Sequence, residues 1–347
     1  MINSAPQPKV RTAYVDIAKG IGIILVVLGH TYNVPATLYN TIYSFHMPLF
    51  FIISGFVYNQ DKYNSYGLGQ IVYDRAKRYL IPFYLFAGIN LVLTLAFNLV
   101  FRHIPITLSA IKNYILGTLY CYADISHMPN CSPIWFLMTL FIGGIIFWAI
   151  MKFSRKTRPL WAMSLLAISY ILYLFVDFRL PLNLAPTGAA VFFMYLGYVV
   201  KRHNLLQHRS LILLFIVGFI ASYFNKTSVG MNENVYGNLF LFVIAAICSS
   251  ISVLSICKVL ADWSNPINKF LKWLGSNTIL IVAFNYFMRD FSTEAYYLVP
   301  IIRKYPLHWT VSFFLTLLGC LVLILLWNYI KSRFQSCKPQ NLKRIPR

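Results

Sequence analysis

The stretch Tyr14–His30, YVDIAKGIGIILVVLGH, decides the fold. It is an apolar run of about the length a helix needs to cross a bilayer, yet it carries an aspartate, a lysine and a histidine. Ionisable groups inside such a run are costly, and where they persist they face a cavity or a pathway. Lys19 and His30 lie about three helical turns apart, roughly 16 Å of axial rise, so both point the same way. Asp16, one turn before Lys19, shares that side. A plainer reading pairs Asp16 with Lys19 at the interface and lets His30 reach the far headgroups. Gly20, Gly22 and Gly29 allow close approach of either a neighbouring helix or a ligand.

The rest of the chain extends this reading. Hydrophobic types make up 59% of the 347 residues and charged types 11%, against about a quarter charged in soluble domains. The composition points to lipid, and the length suits a single polytopic, all-α membrane domain over residues 1–347 with a short basic tail from about 331. Ten segments are candidate spans: 13–33, 39–58, 79–101, 133–151, 159–176, 184–200, 210–225, 236–257, 270–288 and 309–330. The first is too polar and too long for a cleaved signal peptide. No internal repeat or low-complexity tract is visible.

A net charge of +21 suggests nucleic acid until its distribution is considered. With a cytoplasmic N-terminus and all ten segments spanning, roughly three in four of the lysines and arginines fall on the cytoplasmic side, as the positive-inside rule requires. They include Lys9, Arg11, Lys62, Lys152, Arg155, Lys201, Lys258 and the tail; the few opposite include Arg102, Arg179, Arg289, Arg303 and Lys304. Both termini are therefore expected in the cytoplasm, and no nucleic-acid partner is expected. The six cysteines show no metal-ligand spacing, and no metal is expected. Cys248, Cys257 and Cys320 read as packing residues, Cys121 and Cys131 share a loop where a disulfide is an open alternative, and Cys337 reads as a free thiol in the tail.

Three further clusters carry chemistry. In SFHMPLFFIISGF, residues 44–56, His46 lies near the outer end of the second span with Ser54 deeper. His46 either orients a substrate or His30, or bonds a backbone carbonyl at the interface. In YDRAKRYL, residues 73–80, Arg75 and Arg78 are an i, i+3 pair with Lys77 between them. Arginine forks fit phosphate oxygens better than lysine, although a positive-inside flank looks the same. In SPIWFL, residues 132–137, Pro133 suits a first helical turn, and Trp135 and Phe136 are typical interface anchors.

The set, in this order, resembles the acyltransferase-3 family of integral membrane acyltransferases. Lysine, ten residues, then histidine in the first span is similar to its signature. HMPLFFIISGF resembles its second-span motif, Arg75 and Arg78 match its R-x-x-R, and PIWFL (133–137) and LKWLGSNTILIVAFN (271–285) resemble later landmarks. The sugar O-acetyltransferase branch is the most similar. The chain departs from the pattern at Lys19, where many members have arginine, and at Asn285, where a histidine is frequent.

The resemblance implies about ten spans in a bacterial inner membrane, with an acyl group moving from cytoplasmic acetyl-CoA to a hydroxyl of a cell-surface or lipid-linked glycan. Within that reading His30 is base or nucleophile, and Lys19, fixed by Asp16, completes the catalytic set roughly 16 Å away along the helix. Arg75, Arg78 and Lys77 bind CoA, and His46, Ser54, Trp135 and Asn285 meet substrate. Homo-oligomerisation is left open, as is acetyl against a larger group such as succinyl. Two other classes compete. A polysaccharide or lipid-linked sugar flippase also keeps ionisable groups along an internal pathway, although no paired halves are visible. A membrane glycosyltransferase would use acids such as Asp124, Asp177, Glu233, Asp290 or Glu294, which form no recognisable motif.

Overall fold

The computed structural model describes residues 13–124, 126–300 and 306–336. Lys9, Arg11, Arg303, Lys304, Cys337 and the tail beyond Ser336 lie outside the described residues. The elements in chain order are α1 (Ala13–Gly29), α2 (Ala36–Phe56), α3 (Gln60–Asn64), α4 (Leu68–Arg75), α5 (Ile81–Val100), α6 (Leu108–Tyr120), α7 (Trp135–Phe153), α8 (Arg158–Phe175), α9 (Thr187–Arg202), α10 (Leu214–Phe224), α11 (Leu239–Ala261), α12 (Pro266–Ser276), α13 (Thr278–Leu298) and α14 (Trp309–Ser336). Among the described residues there is no strand beyond one isolated bridge, Gly230 to Val235. The chain is an all-α polytopic membrane protein.

By length and composition six helical segments of the described residues can cross a membrane: Leu68–Val100, Ser132–Phe153, Arg158–Phe175, Pro181–Arg202, Leu239–Ala261 and Trp309–Arg333. The helices α1, α2 and α13, shorter or more polar, are not among them. Packing explains how they are tolerated. α1 lies inside the bundle against α2, α11, α12, α13 and α14, whereas α8 and α14 turn apolar faces outward. Polar side chains on the inner helices meet protein and cavity rather than hydrocarbon, which answers the question Tyr14–His30 raises.

Small residues make this packing close. On α2 and α9, Gly55 and Gly197 face each other's backbones: a Cβ on Gly55 would collide with the Met194 carbonyl, and one on Gly197 with that of Ile52. Gly20 of α1 and Gly275 of α12 are reciprocal in the same way, against the carbonyls of Leu271 and Asp16. In lipid, where burial gives no solvent-driven force between helices, such contacts carry association.

Two expected spans take a different form. The segment 270–288 is not one helix. Asn277 ends α12, with its N–H donating to Leu274 and its Nδ2 to Trp273, and α13 then runs on to Leu298. α12 is amphipathic, capped by Asn265 with Pro266 in its first turn. The third span starts earlier than residue 79: α4 leads through a π turn, Ala76–Leu80, into α5. The stretch between the expected spans 79–101 and 133–151 contains α6, which Tyr114 anchors by donating to the Ala87 carbonyl. Cys121 and Cys131 are buried free thiols.

The segments near 58–66, 151–158, 201–206 and 258 meet at one end of the bundle. There Lys152 and Lys201 donate to the carbonyls of Tyr66 and Tyr58, Arg158 to Met151, and Lys258 to Leu206. At the other end Arg179 donates to Asn232, Asn232 to Ala123, and Arg102 pairs with Asp290 and Glu294. α1 links the two ends, and both contain a chamber.

Candidate active site

The first chamber, about 450 Å³, opens at the basic end. Lys19, Ser54, Arg75, Arg78 and Lys331 line it, with the Ser276–Thr278 junction of α12 and α13. Lys19 is paired with Asp16 at 3.6 Å, so the i, i+3 relation read from sequence is a real contact, and Asp16 stands behind the wall. Arg75 is buried at 5% exposure. Its guanidinium lies 4.9 Å from the Tyr63 ring centre, and its stem runs across bare Gly144 of α7. Its Nε has no hydrogen-bond partner. Other buried side-chain atoms share this state, Nε of Arg158 and Arg179 among them; what singles out Arg75 is its place on a cavity wall, where an arginine suits phosphate. The π turn directly after Arg75 changes the helical phase, a device frequent at functional sites. Arg78 reaches the same chamber. Lys77 does not: it is exposed and lines neither chamber.

The second chamber, about 400 Å³, lies towards the other end, lined by His30, His46, Tyr43, Trp135, Tyr286 and Arg289 among others. Of the two readings of Trp135, interface anchor or substrate contact, its burial at this wall favours the second. His30 follows the last turn of α1. Its Nδ1 lies 2.8 Å from the hydroxyl of Tyr43 and 3.3 Å from that of Tyr286. A phenol can donate or accept, so these contacts fix the ring's orientation and suit either tautomer. His46 is placed differently. Its Nδ1 is 2.8 Å from the Ile42 carbonyl, and a carbonyl only accepts. The neutral ring must carry its proton on Nδ1, which leaves the Nε2 lone pair available. The two imidazoles stand perpendicular with centroids 6.4 Å apart.

Arg289 closes this chamber. Nη1 donates to the His30 carbonyl at 3.2 Å, while Nε and Nη2 donate to Asp290 at 3.0 and 2.8 Å. Its guanidinium lies over the rings of Tyr32 and Tyr286, at 4.1 and 4.4 Å. Asp290 also accepts from Tyr32 and Arg102, so its buried charge is compensated from three sides. The sequence reading missed Tyr43, Tyr286 and Arg289. The available signals were the i, i+3 spacing of Tyr43 and His46 and the adjacent opposite charges of Arg289 and Asp290 following the apolar first half of their helix.

Asn285 is not at either chamber. Its Nδ2 donates to the Ile281 and Val282 carbonyls of its own helix, and it is buried. Successive helical residues point about 100° apart, so the neighbouring Tyr286 takes the chamber position.

The chambers lie end to end, and Phe50 of α2 and Phe136 of α7 line both. His30 thus looks into a cavity that adjoins the arginine-lined one across two phenyl rings. An anion-suited chamber beside one with two histidines can hold a charged carrier on one side and expose its reactive end to proton transfer on the other.

Comparison with known proteins places the chain in a family. Residues 12–325 match the acyltransferase-3 family model, described as an acyltransferase domain. The nodulation protein NolL of Mesorhizobium japonicum is 27% identical over 164 residues, covering 44% of this chain and 39% of that protein. The chain therefore spans well under half the length of this curated relative. No solved structure matches it. With a family match over nearly its whole length, the chain belongs to the acyltransferase-3 family.

Proposed function

We propose that the protein is an O-acetyltransferase of a bacterial inner membrane that moves an acetyl group from cytoplasmic acetyl-CoA to a hydroxyl of a cell-surface or lipid-linked glycan. The observation that carries the reading is the contact between the arginine-lined and histidine-lined chambers at Phe50 and Phe136. The basic end faces the cytoplasm by the positive-inside rule. Buried Arg75, with its orphaned Nε, and Arg78 hold the CoA phosphates, and Lys19, paired with Asp16, lines the same chamber. The pantetheine arm then runs along α1 and α2 past Ser54 towards His30.

In the second chamber the acceptor hydroxyl meets the thioester carbon. With Nδ1–H donating to Tyr43, His30 takes the hydroxyl proton on Nε2 as the oxygen attacks. The C–S bond breaks, the acetyl ester forms, and the proton passes to the departing thiolate, so the histidine ends as it began. His30 can instead accept the acetyl group first, as a nucleophile. His46, with Nε2 free, and Trp135 contact the acceptor.

The test is release of CoA from acetyl-CoA by the purified protein in detergent or liposomes, together with mass spectrometry of surface glycans from cells with and without the gene. An acetyltransferase binds acetyl-CoA and turns it over slowly even against water, and the deletion removes O-acetyl groups. A flippase ignores acetyl-CoA, and that result would overturn the reading.

A further inference from the structure

Of all described residues, only Phe50 and Phe136 line both chambers. Their rings meet edge to face with centroids 5.6 Å apart. Phe51 backs Phe136 at 5.3 Å. Phe50 is seated from the other side by Gly22 of α1: a Cβ there would come within 3.0 Å of Cζ and 3.1 Å of Cε2. The ring pair thus spans from α1 to α7. Along one face of α2 the order is His46, Phe50, Ser54, each step one turn, roughly 6 Å. His46 belongs to the second chamber and Ser54 to the first.

Under the acetyl-CoA reading above, the nucleotide stays among the arginines while the acyl carbon crosses this ring pair to reach His30. A methyl group crossing there exchanges water for phenyl surface, which is favourable. A carboxylate on the acyl chain has to shed its water between the rings, and neither ring offers a hydrogen bond. We infer that Phe50 and Phe136, with Phe50 seated on Gly22, determine acyl specificity: the pair passes a short uncharged group such as acetyl or propionyl and rejects a dicarboxylic one such as succinyl. The bareness of Gly22 then has a role besides helix packing, since a methyl there would press Phe50 into the passage.

The experiment compares acetyl-, propionyl- and succinyl-CoA as donors to the full chain in liposomes. It measures CoA release, in which the thioester C–S bond is cleaved, water or acceptor oxygen bonds the acyl carbon, and the thiolate takes the proton. The wild type should favour acetyl-CoA over succinyl-CoA by at least about a hundredfold in kcat/KM. Phe50→Ala and Phe136→Ala, and more mildly Phe50→Leu and Phe136→Leu, should raise succinyl-CoA relative to acetyl-CoA by about tenfold or more. Gly22→Ala should lower propionyl-CoA use before acetyl-CoA use. Each variant is its own control, because the readout is a ratio between donors and a partly unfolded fraction cancels. A wild type that uses succinyl-CoA as well as acetyl-CoA, or a donor ratio unmoved in all four phenylalanine variants, overturns the inference and leaves the acetyl-CoA reading standing. A wild type that neither binds nor turns over any of the three donors overturns both.

Discussion

The hydroxyl of Tyr43 lies 2.8 Å from Nδ1 of His30, and the same tyrosine sits one turn before His46 on α2. A single helix therefore presents one histidine to the second chamber and orients the other. Tyr286, at 3.3 Å from the same nitrogen, holds the ring from α13, so the imidazole is fixed by two helices besides its own.

This arrangement makes Tyr43 and Tyr286 positioning residues. Tyr43→Phe should lower kcat by about tenfold to a hundredfold through loss of ring orientation and leave the KM for acetyl-CoA unchanged. Tyr286→Phe, with the longer contact, should lower it less, and the double variant more than either. Steady-state kinetics with the kcat and KM effects separated checks this; a change confined to KM would assign the tyrosines to donor binding.

Arg75 should govern donor affinity. A hydrogen bond to a charged group contributes about 1.5–3 kcal/mol, so Arg75→Ala should raise the dissociation constant of CoA by about tenfold to a hundredfold. Arg75→Lys should recover only part, because lysine lacks the fork. Lys77→Ala, at an exposed position outside both chambers, should change affinity little. Calorimetric titration with CoA compares the three. Equal effects at positions 75 and 77 would reduce the arginine to a topology signal.

The reciprocal glycine contact of α2 and α9 should matter for folding rather than chemistry. Gly55→Ala and Gly197→Ala each drive a methyl into a facing carbonyl, and overpacking of this kind costs about 1–3 kcal/mol or more. Gly88→Ala on α5, where a Cβ meets nothing within 4 Å, should be neutral or stabilising by up to about 1 kcal/mol. Thermal unfolding in detergent, followed by tryptophan fluorescence, separates the two classes.

A pH dependence is expected at the loop beside the second chamber. Burial raises the Asp124 carboxyl, but hydrogen bonds from His127 and from the Ser126 N–H outweigh it and hold the carboxyl below its usual range. A carboxyl lowered on folding contributes stability that is present above its unfolded pKa and is lost as pH falls through its folded one. Hydrogen exchange at 126–131 should accelerate on acidification below the ordinary carboxylate range. Asp124→Asn should exchange faster at neutral pH and show a flatter acid response.

Much of this organisation was legible in the sequence because helical phase is simple arithmetic. Lys19 and His30, on one face of α1, line different chambers on the same side, and Arg75 and Arg78 share a wall. Phase also explains the failures. Asn277 breaks the late segment and sets the register of α13, which turns Asn285 into the helix and Tyr286 to the chamber. The π turn leaves Lys77 outside while Arg78 reaches in. Tyr43 and Phe136 were hidden for another reason: aromatic residues at an interface belt and at a cavity wall have the same local sequence, and only packing separates them.

The most direct test is the acetyl-transfer rate of His30→Ala, in protein shown by size-exclusion chromatography and CoA binding to be folded. With the imidazole as base or nucleophile, the rate falls by about 10²–10⁴-fold while CoA still binds. A folded variant that transfers acetyl at the wild-type rate would contradict the account.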